Sequence, residues 1–462
     1  MAGPRDRSFL AHLWAALGGA PDRLLAVTFE GLSAGLPSVY AVNEGAAALV
    51  AATTLAVAEL HAARSGGPMP GVAVDRRHVA AAFRSERYLR PVGWALPPAW
   101  DPIAGDYEAR DRWIRLHTNY AWHRDAVLRV LGTAADRAAV TEAVRGWCAD
   151  ALEAAVVESG GCAAVMRTTE EWSAHPQGAA VAGEPLVHVA RVAGGPLRLP
   201  VAQAPLAGVR VLDLTRVIAG PVCTRVLAWY GADVMRIDPP GFDEVGSLLG
   251  DTTVGKRRAF LDLRSPAGRA AFERLVEDAH VLVSGFRPDA LRRLGYSTAP
   301  LRALNPALIL ASHDAYGHTG AWSQRRGFDS LVQMSCGTAA RGKVALATTH
   351  PAPLPAQALD HGTGYLVAAA VCRALTHAVE RGETSEIRAS LARTARWLVD
   401  LGDDGDPAGE DFTADAASPW LTELATAWGP LGVVRCPGRI AGTASGWARA
   451  PGPLGTDAPA WT

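Results

Sequence analysis

The sequence predicts an α/β protein, with a doubly wound, Rossmann-like parallel sheet in its second half and a smaller α+β domain in its first. Three observations carry that expectation. Residues 209–214 alternate and are β-branched, 219–232 are helix-like, and 233–238 form a second strand candidate. Strand, helix, strand in so short a stretch is a βαβ unit, which implies parallel pairing. The same rhythm then runs on to residue 312, and before the Gly/Pro-rich stretch that starts at Ala193 it is absent.

Taken in order, residues 43–64 form a long Ala-rich helix, and 72–83 follow a Gly-Gly-Pro break, with 71–74 β-like. Residues 113–117 suggest a short strand, 136–157 a helix, 161–166 a strand and 169–174 a short helix. In the second half come a strand at 258–263, a helix at 266–279, a strand at 280–283, a helix at 288–294 and a strand at 307–312. The resulting division is a small α+β domain over 101–192, a linker over 193–204 and a doubly wound domain over 205–400. Residues 1–100 and 401–462 flank these.

The 462 residues carry 45 Lys+Arg against 46 Asp+Glu, a net charge of −1. No basic excess points to nucleic acid or an anionic membrane. The six Cys are scattered without a CxxC or a short Cys/His spacing, which disfavours a zinc site or disulfide scaffold and fits a reducing compartment. The N-terminal stretch lacks a signal-peptide core, and the apolar runs 46–57 and 365–372 are too short to span a bilayer. The expectation is a cytoplasmic enzyme with no metal, no nucleic-acid partner and no membrane.

An internal repeat aligns 41–52 with 358–369, setting Asn43 against Asp360. A Gly turn and a β-like stretch follow each copy, which favours duplication over shared Ala-rich composition.

Four segments carry chemistry. Ile218-Ala-Gly-Pro221 turns a strand into a helix, whose N-terminal N–H groups suit an anion; a bland strand–helix turn fits as well. There is no GxGxxG. Lys256, Arg257 and Arg258, with Arg287, Arg292 and Arg293, form a cationic set suited to a polyphosphate, or simply a solvated cluster. Asp360 opens a helix at Asp360-His-Gly-Thr-Gly364, where it suits an N-cap or a nucleophile kept ionised by the helix terminus. Asp329, in Gly327-Phe-Asp, suits a cleft wall or the cap of a helix over 330–337.

These segments, with Gly231-Ala-Asp-Val-Met-Arg-Ile-Asp-Pro-Pro240, Ser284-Gly-Phe-Arg-Pro-Asp289 and Tyr316-Gly-His-Thr-Gly320, resemble in order the family III (CaiB/BaiF-type) CoA-transferases over about 205–395. Residues 101–116, 161–172 and 453–457 resemble the family's small domain and C-terminal signature. The small domain precedes the large one here, which suggests a tandem fusion trimmed to an internal pseudo-dimer. Relatives are interlocked homodimers with sites between domains.

The resemblance implies coenzyme A as thioester substrate and a carboxylic acid as acceptor. It further implies Asp360 as a nucleophile that becomes an aspartyl-CoA thioester, with Asp329 as a second catalytic carboxylate. Ile218, Ala219, Gly220, Pro221, Lys256, Arg257, Arg287, Arg293 and Tyr316 would bind CoA. Asn43 would leave the first copy silent. Phe328 fills the place of a His used by the racemase branch. Acyl-CoA racemase, epimerase or dehydratase chemistry, and non-catalytic acyl-CoA binding, are the alternatives.

Overall fold

The computed structural model describes residues 4–461; residues 1–3 and 462, the outermost positions of the two flanking segments, lie outside the described residues. Seven strands form the central sheet: β1 (His188–Ala193), β2 (Arg210–Leu214), β3 (Asp233–Asp238), β4 (Lys256–Phe260), β5 (Val281–Ser284), β6 (Ile309–Asp314) and β7 (Glu383–Ser390). Their order is β4-β3-β2-β5-β6-β7-β1, parallel throughout except for β1 against β7. The middle strands are buried along their length, so they read as apolar runs and not as a half-exposed alternation. Strand order reverses between β2 and β5, and the crevice beyond the carboxyl ends of such a pair is where ligands bind in open α/β sheets.

Two helices of 24 residues each dominate the core, α1 (Val42–Ser65) and α4 (Ala358–Arg381). Thr53 donates to the Tyr365 carbonyl at 2.8 Å, Leu49 lies over Gly362, and Glu59 pairs with Arg373. These contacts advance together along both helices, so the pair runs parallel. Small residues line it, Ala46–Ala48 on one helix and Ala368–Ala370 on the other, all buried. Each helix ends on a left-handed Gly, Gly66 and Gly382, a conformation that a residue with a Cβ adopts only at a steric cost. By length and composition α1 could cross a membrane, but 83% of its most apolar window is buried inside the protein.

Strands Gly105–Glu108, Trp113–Leu116 and Ala163–Val165 form a separate three-stranded sheet. Helices Ala121–Leu131, Arg137–Arg145 and Ala149–Glu158 cover it around Ile114, Val127, Val140 and Leu152. Arg325 from the large domain donates to the Ala163 carbonyl at 2.9 Å and lies 3.1 Å from Glu153, fixing this unit over the carboxyl end of the main sheet.

Several elements differ from the sequence expectation for identifiable reasons. The helix expected over 136–157 is two helices, because Asp111 accepts from the Ala149 amide at 2.9 Å and restarts the chain there. Residues 72–83 divide at Asp75, which ends the strand Val72–Asp75 and caps the helix Arg76–Ala82 through the Arg77 and His78 amides. The strand expected at 258–263 begins two residues earlier, at Lys256, because Asp213 and Asp233 neutralise cations inside the sheet. Strand β1, the antiparallel edge, has no counterpart in the sequence reading.

Candidate active site

The site is built where β2, β5 and β6 end. After Leu214 the chain turns through Thr215–Ile218 into the helix α2 (Ala219–Trp229). Val217 is held at φ 64°, a conformation that a β-branched residue adopts only under constraint and that clusters at functional sites. Gly220 fits this turn because a Cβ there would lie 2.2 Å from the Thr215 Cβ. Gly364 plays the matching part on α4: its Cβ would lie 2.5 Å from the Ala219 carbonyl. Two glycines thus let α4 press against the start of α2, and Asp360 reaches the Ala219 amide, which donates to it.

Asp329 opens the helix α3 (Asp329–Ser335) and is fully engaged. Its Oδ2 accepts from the Leu359 and Asp360 amides at 2.8 and 2.9 Å, and its Oδ1 accepts from Gln333. Both readings left open by sequence hold in part: Asp329 lines a cavity wall, and it is also a cap, but of α4 and not of its own helix. Asp360 is the third residue of α4 and caps nothing. The expectation that the helix terminus keeps it ionised is reversed. Burial raises its pKa well above the usual carboxylate range, and the charges of Asp329 and Glu86 add to that shift. Burial likewise raises Asp329 to about 6. Glu86 is held low despite its burial, because His361 Nε2 donates to it at 3.0 Å. His361 is stacked on Phe83 at 5.4 Å.

Two cavities meet at Asp360. One, of about 340 Å³, is lined by Arg216, Arg287, Arg325 and Arg326 together with Phe242 and Phe286. The other, of about 530 Å³, is lined chiefly by apolar groups, among them Leu96, Pro97, Trp100 and Leu248. Tyr120, Val217, Phe328 and Asp360 belong to both walls. Phe328 is the partition: the His117 ring stacks on it at 3.7 Å and 2°, and His123 meets it edge-on at 5.8 Å. All these residues come from one chain.

The cationic cavity has an unequal set of guanidinium groups. Arg325 is committed to Glu153 and stacks on Trp322 at 3.8 Å. Arg216 lies 3.4 Å from Asp238 and over the Phe242 ring at 3.5 Å. Arg287 has no salt-bridge partner among the described residues. Its pKa is lowered by burial, and the positive charges of Arg326 and Arg293 lower it further. Unpaired, mutually repelling cations beside a cleft are an anion site in waiting.

The residues singled out from sequence fall into separate places. Asp360, Ala219 and Arg287 line the cationic cavity, while Ile218 and Asp329 line the larger one. Lys256 does not face a ligand. It is 0% exposed, beneath α2, donating to Asp213 Oδ2 at 2.9 Å and to the Pro221 carbonyl at 3.2 Å. Gly220 and Pro221 are buried behind the turn. Arg257 pairs with Asp233 at 2.8 Å within the sheet, and Arg293 is exposed outside both cavities. Tyr316 is 1% exposed among Trp172, Trp322 and Arg325, with its hydroxyl 3.2 Å from Ser335, so it supports the wall from behind. Asn43 of the repeat lines neither cavity. Its amide accepts from the Leu36 N–H at 3.0 Å and donates to the Leu36 carbonyl at 3.2 Å. Among the described residues no group of three or more His, Cys, Asp or Glu is placed to hold a metal ion.

Sequence reasoning missed Glu86, Trp100, His117 and Tyr120, which reach the site from the first half. It also missed Arg325-Arg326, whose adjacency to Gly327-Phe-Asp was the one available signal.

Residues 206–403 match the model of CoA-transferase family III. A formyl-CoA:oxalate CoA-transferase of Rhodopseudomonas palustris is 32% identical over 198 residues, covering 40% of this chain and 46% of that enzyme. A succinate–glutarate CoA-transferase of Agrobacterium fabrum is 34% identical over 215 residues, covering 42% and 52%. An acetyl-coenzyme A transferase of Hypoxylon pulicicidum is 33% identical over 201 residues, covering 43% and 34%. The chain thus spans about half or less of the length of these relatives. A crystal structure of a CaiB/BaiF-family protein from Brucella suis aligns over 50% of this chain and 65% of its own at 24% identity and a TM-score of 0.38.

Proposed function

Taking residues 206–403 as a segment of CoA-transferase family III, we propose that the chain moves CoA from an acyl-CoA thioester to a free carboxylic acid, with Asp360 as nucleophile. The observation that carries this reading is the position of Asp360 in the shared wall of a cationic and an apolar cavity. Arg287 and Arg326 suit the phosphates of CoA, and the larger cavity suits the acyl group. The thioester then lies across the Phe328 partition, against Asp360.

In this mechanism the ionised Asp360 attacks the acyl carbonyl, and the CoA thiolate leaves with the electron pair of the C–S bond. A mixed anhydride of Asp360 and the acyl group results. Attack by the thiolate on the Asp360 carbonyl breaks the anhydride, frees the first acid and leaves an aspartyl-CoA thioester; the acceptor acid reverses the two steps. The raised pKa of Asp360 makes its ionised form the more basic nucleophile. Asp329 fixes the turn that presents it by accepting the Leu359 and Asp360 amides. Proton exchange alpha to a thioester has less support. Both oxygens of Asp329 are occupied, and Phe328 offers no base.

Two measurements test the reading. Hydroxylamine or borohydride added during turnover should modify Asp360, seen by peptide mass spectrometry; transfer with no labelled carboxylate would remove the aspartyl intermediate. The pH dependence follows from the sign of the shifts. Burial raises both Asp329 and Asp360, and the charge of either one opposes ionisation of the other. We therefore expect kcat/KM to rise with pH through and above 6, and a profile flat from about pH 5 to 8 would mean an Asp360 ionised throughout.

A further inference from the structure

The acyl-side cavity has the wrong charge for the acids named for the chain's relatives. Oxalate, succinate and glutarate each keep a second carboxylate when one end is esterified to CoA. Facing this cavity are three acidic side chains, Glu86, Asp329 and Asp360, and one cation, Arg87. The Arg87 side chain is 45% exposed at the rim, lies 3.5 Å from Glu86 and donates to the Pro355 carbonyl at 3.1 Å. His117 cannot serve as a second cation, since burial, with Arg115 and His123 nearby, holds its pKa well below the ordinary value. A distal carboxylate would therefore be desolvated beside Glu86 and Asp329, an arrangement that costs more than one exposed guanidinium returns.

Shape points the same way. At about 530 Å³ the space falls in the range of pockets that enclose drug-sized molecules, and a formyl or acetyl group would leave most of it empty. Its apolar walls are Leu96, Pro97, Ala99, Ile218 and Leu248. Its aromatic end is the Phe328–His117 stack, with the Trp100 ring edge-on to His117 at 5.9 Å. Trp100 remains 42% exposed although its indole borders the cavity, so part of its surface is available to cover a guest. Flat aromatic faces and edges pack best against another ring.

Resting on the CoA-transfer reading above, we infer that the acyl group handled here is bulky, uncharged and ring-containing, packed between Trp100 and the Phe328–His117 pair. The full chain is to be assayed with phenylacetyl-CoA, acetyl-CoA and succinyl-CoA as donors, each with hydroxylamine trapping at Asp360. Phenylacetyl-CoA is expected to exceed succinyl-CoA in kcat/KM by at least about 100-fold, and Trp100→Ala to narrow that ratio by about tenfold. Trp100 is partly exposed, so its truncation is not expected to unfold the chain. If succinyl-CoA labels Asp360 as fast as phenylacetyl-CoA or faster, or if Trp100→Ala leaves the ratio unchanged, the inference on the acyl group falls and CoA transfer stands. If no donor labels Asp360, the CoA-transfer reading falls and takes this inference with it.

Discussion

Replacing Asp360 by Ala is expected to lower kcat/KM for CoA transfer by at least about 10⁴-fold while CoA still binds with near-native affinity. No neighbouring carboxylate can stand in. Both oxygens of Asp329 accept hydrogen bonds from Gln333, Leu359 and Asp360, and Glu86 is held by His361. Asp360→Asn keeps an acceptor for the Ala219 amide but loses the nucleophile, so it should be equally inactive. Asp360→Glu keeps the carboxylate one methylene too far along, and a misplacement of about 1 Å costs on the order of 100-fold. The fold should survive all three. Asp360 is 7% exposed with a pKa raised by burial, so its charge is a cost to the folded state at neutral pH. Urea unfolding of Asp360→Asn should accordingly show a midpoint no lower than that of the native chain. An Asp360→Ala or Asp360→Asn protein that kept more than a hundredth of native transfer would remove Asp360 from the chemistry.

The sequence makes local structure legible where local rules decide it. The strand Asp233–Asp238 and the helix Thr169–Ala174 coincide with their expected bounds, and a capping box between Thr168 and Glu171 starts the second. Asp360 likewise stands out by its own neighbourhood, a helix start followed by Gly362 and Gly364. What escapes is set by tertiary contact. The Phe328–His117 stack joins a large-domain loop to the residue that follows a small-domain strand, and no periodicity announces it. The strained φ of Val217 is imposed by the β2-to-α2 turn and is invisible in a β-branched residue that reads as strand. Asp329 shows the commoner ambiguity: a helix-start Asp predicts a cap correctly, but the helix it caps lies some thirty residues further on.

Lys256 shows why a cationic run is weak evidence of a phosphate site, and it carries the second large effect expected here. Alternation along β4 sends Lys256 and Arg257 to opposite faces, but only the packing of α2 decides which face is closed. The Lys256 ammonium meets Asp213, whose carboxylate also accepts from the Thr215 amide and the Thr215 and Thr224 hydroxyls. Asp213→Ala leaves that ammonium buried without a counter-charge, and breaking such a pair costs about 3–5 kcal/mol. Lys256→Met is milder, because the threonines and the Thr215 amide still satisfy Asp213. The double variant Asp213→Leu/Lys256→Met should recover only part of the loss, since it removes the unpaired buried charge but leaves the Thr215 amide and hydroxyl without their acceptor. Urea midpoints are expected to rank native, Lys256→Met, double variant and Asp213→Ala, from highest to lowest. In kinetics the contrast is with Arg287, whose guanidinium faces the cationic cavity. Arg287→Ala should raise KM for the CoA thioester about tenfold, and Lys256→Met should leave it within about twofold. A Lys256→Met protein with a native urea midpoint and a tenfold higher KM would return the ammonium to the phosphate site and displace Arg287 as its principal cation.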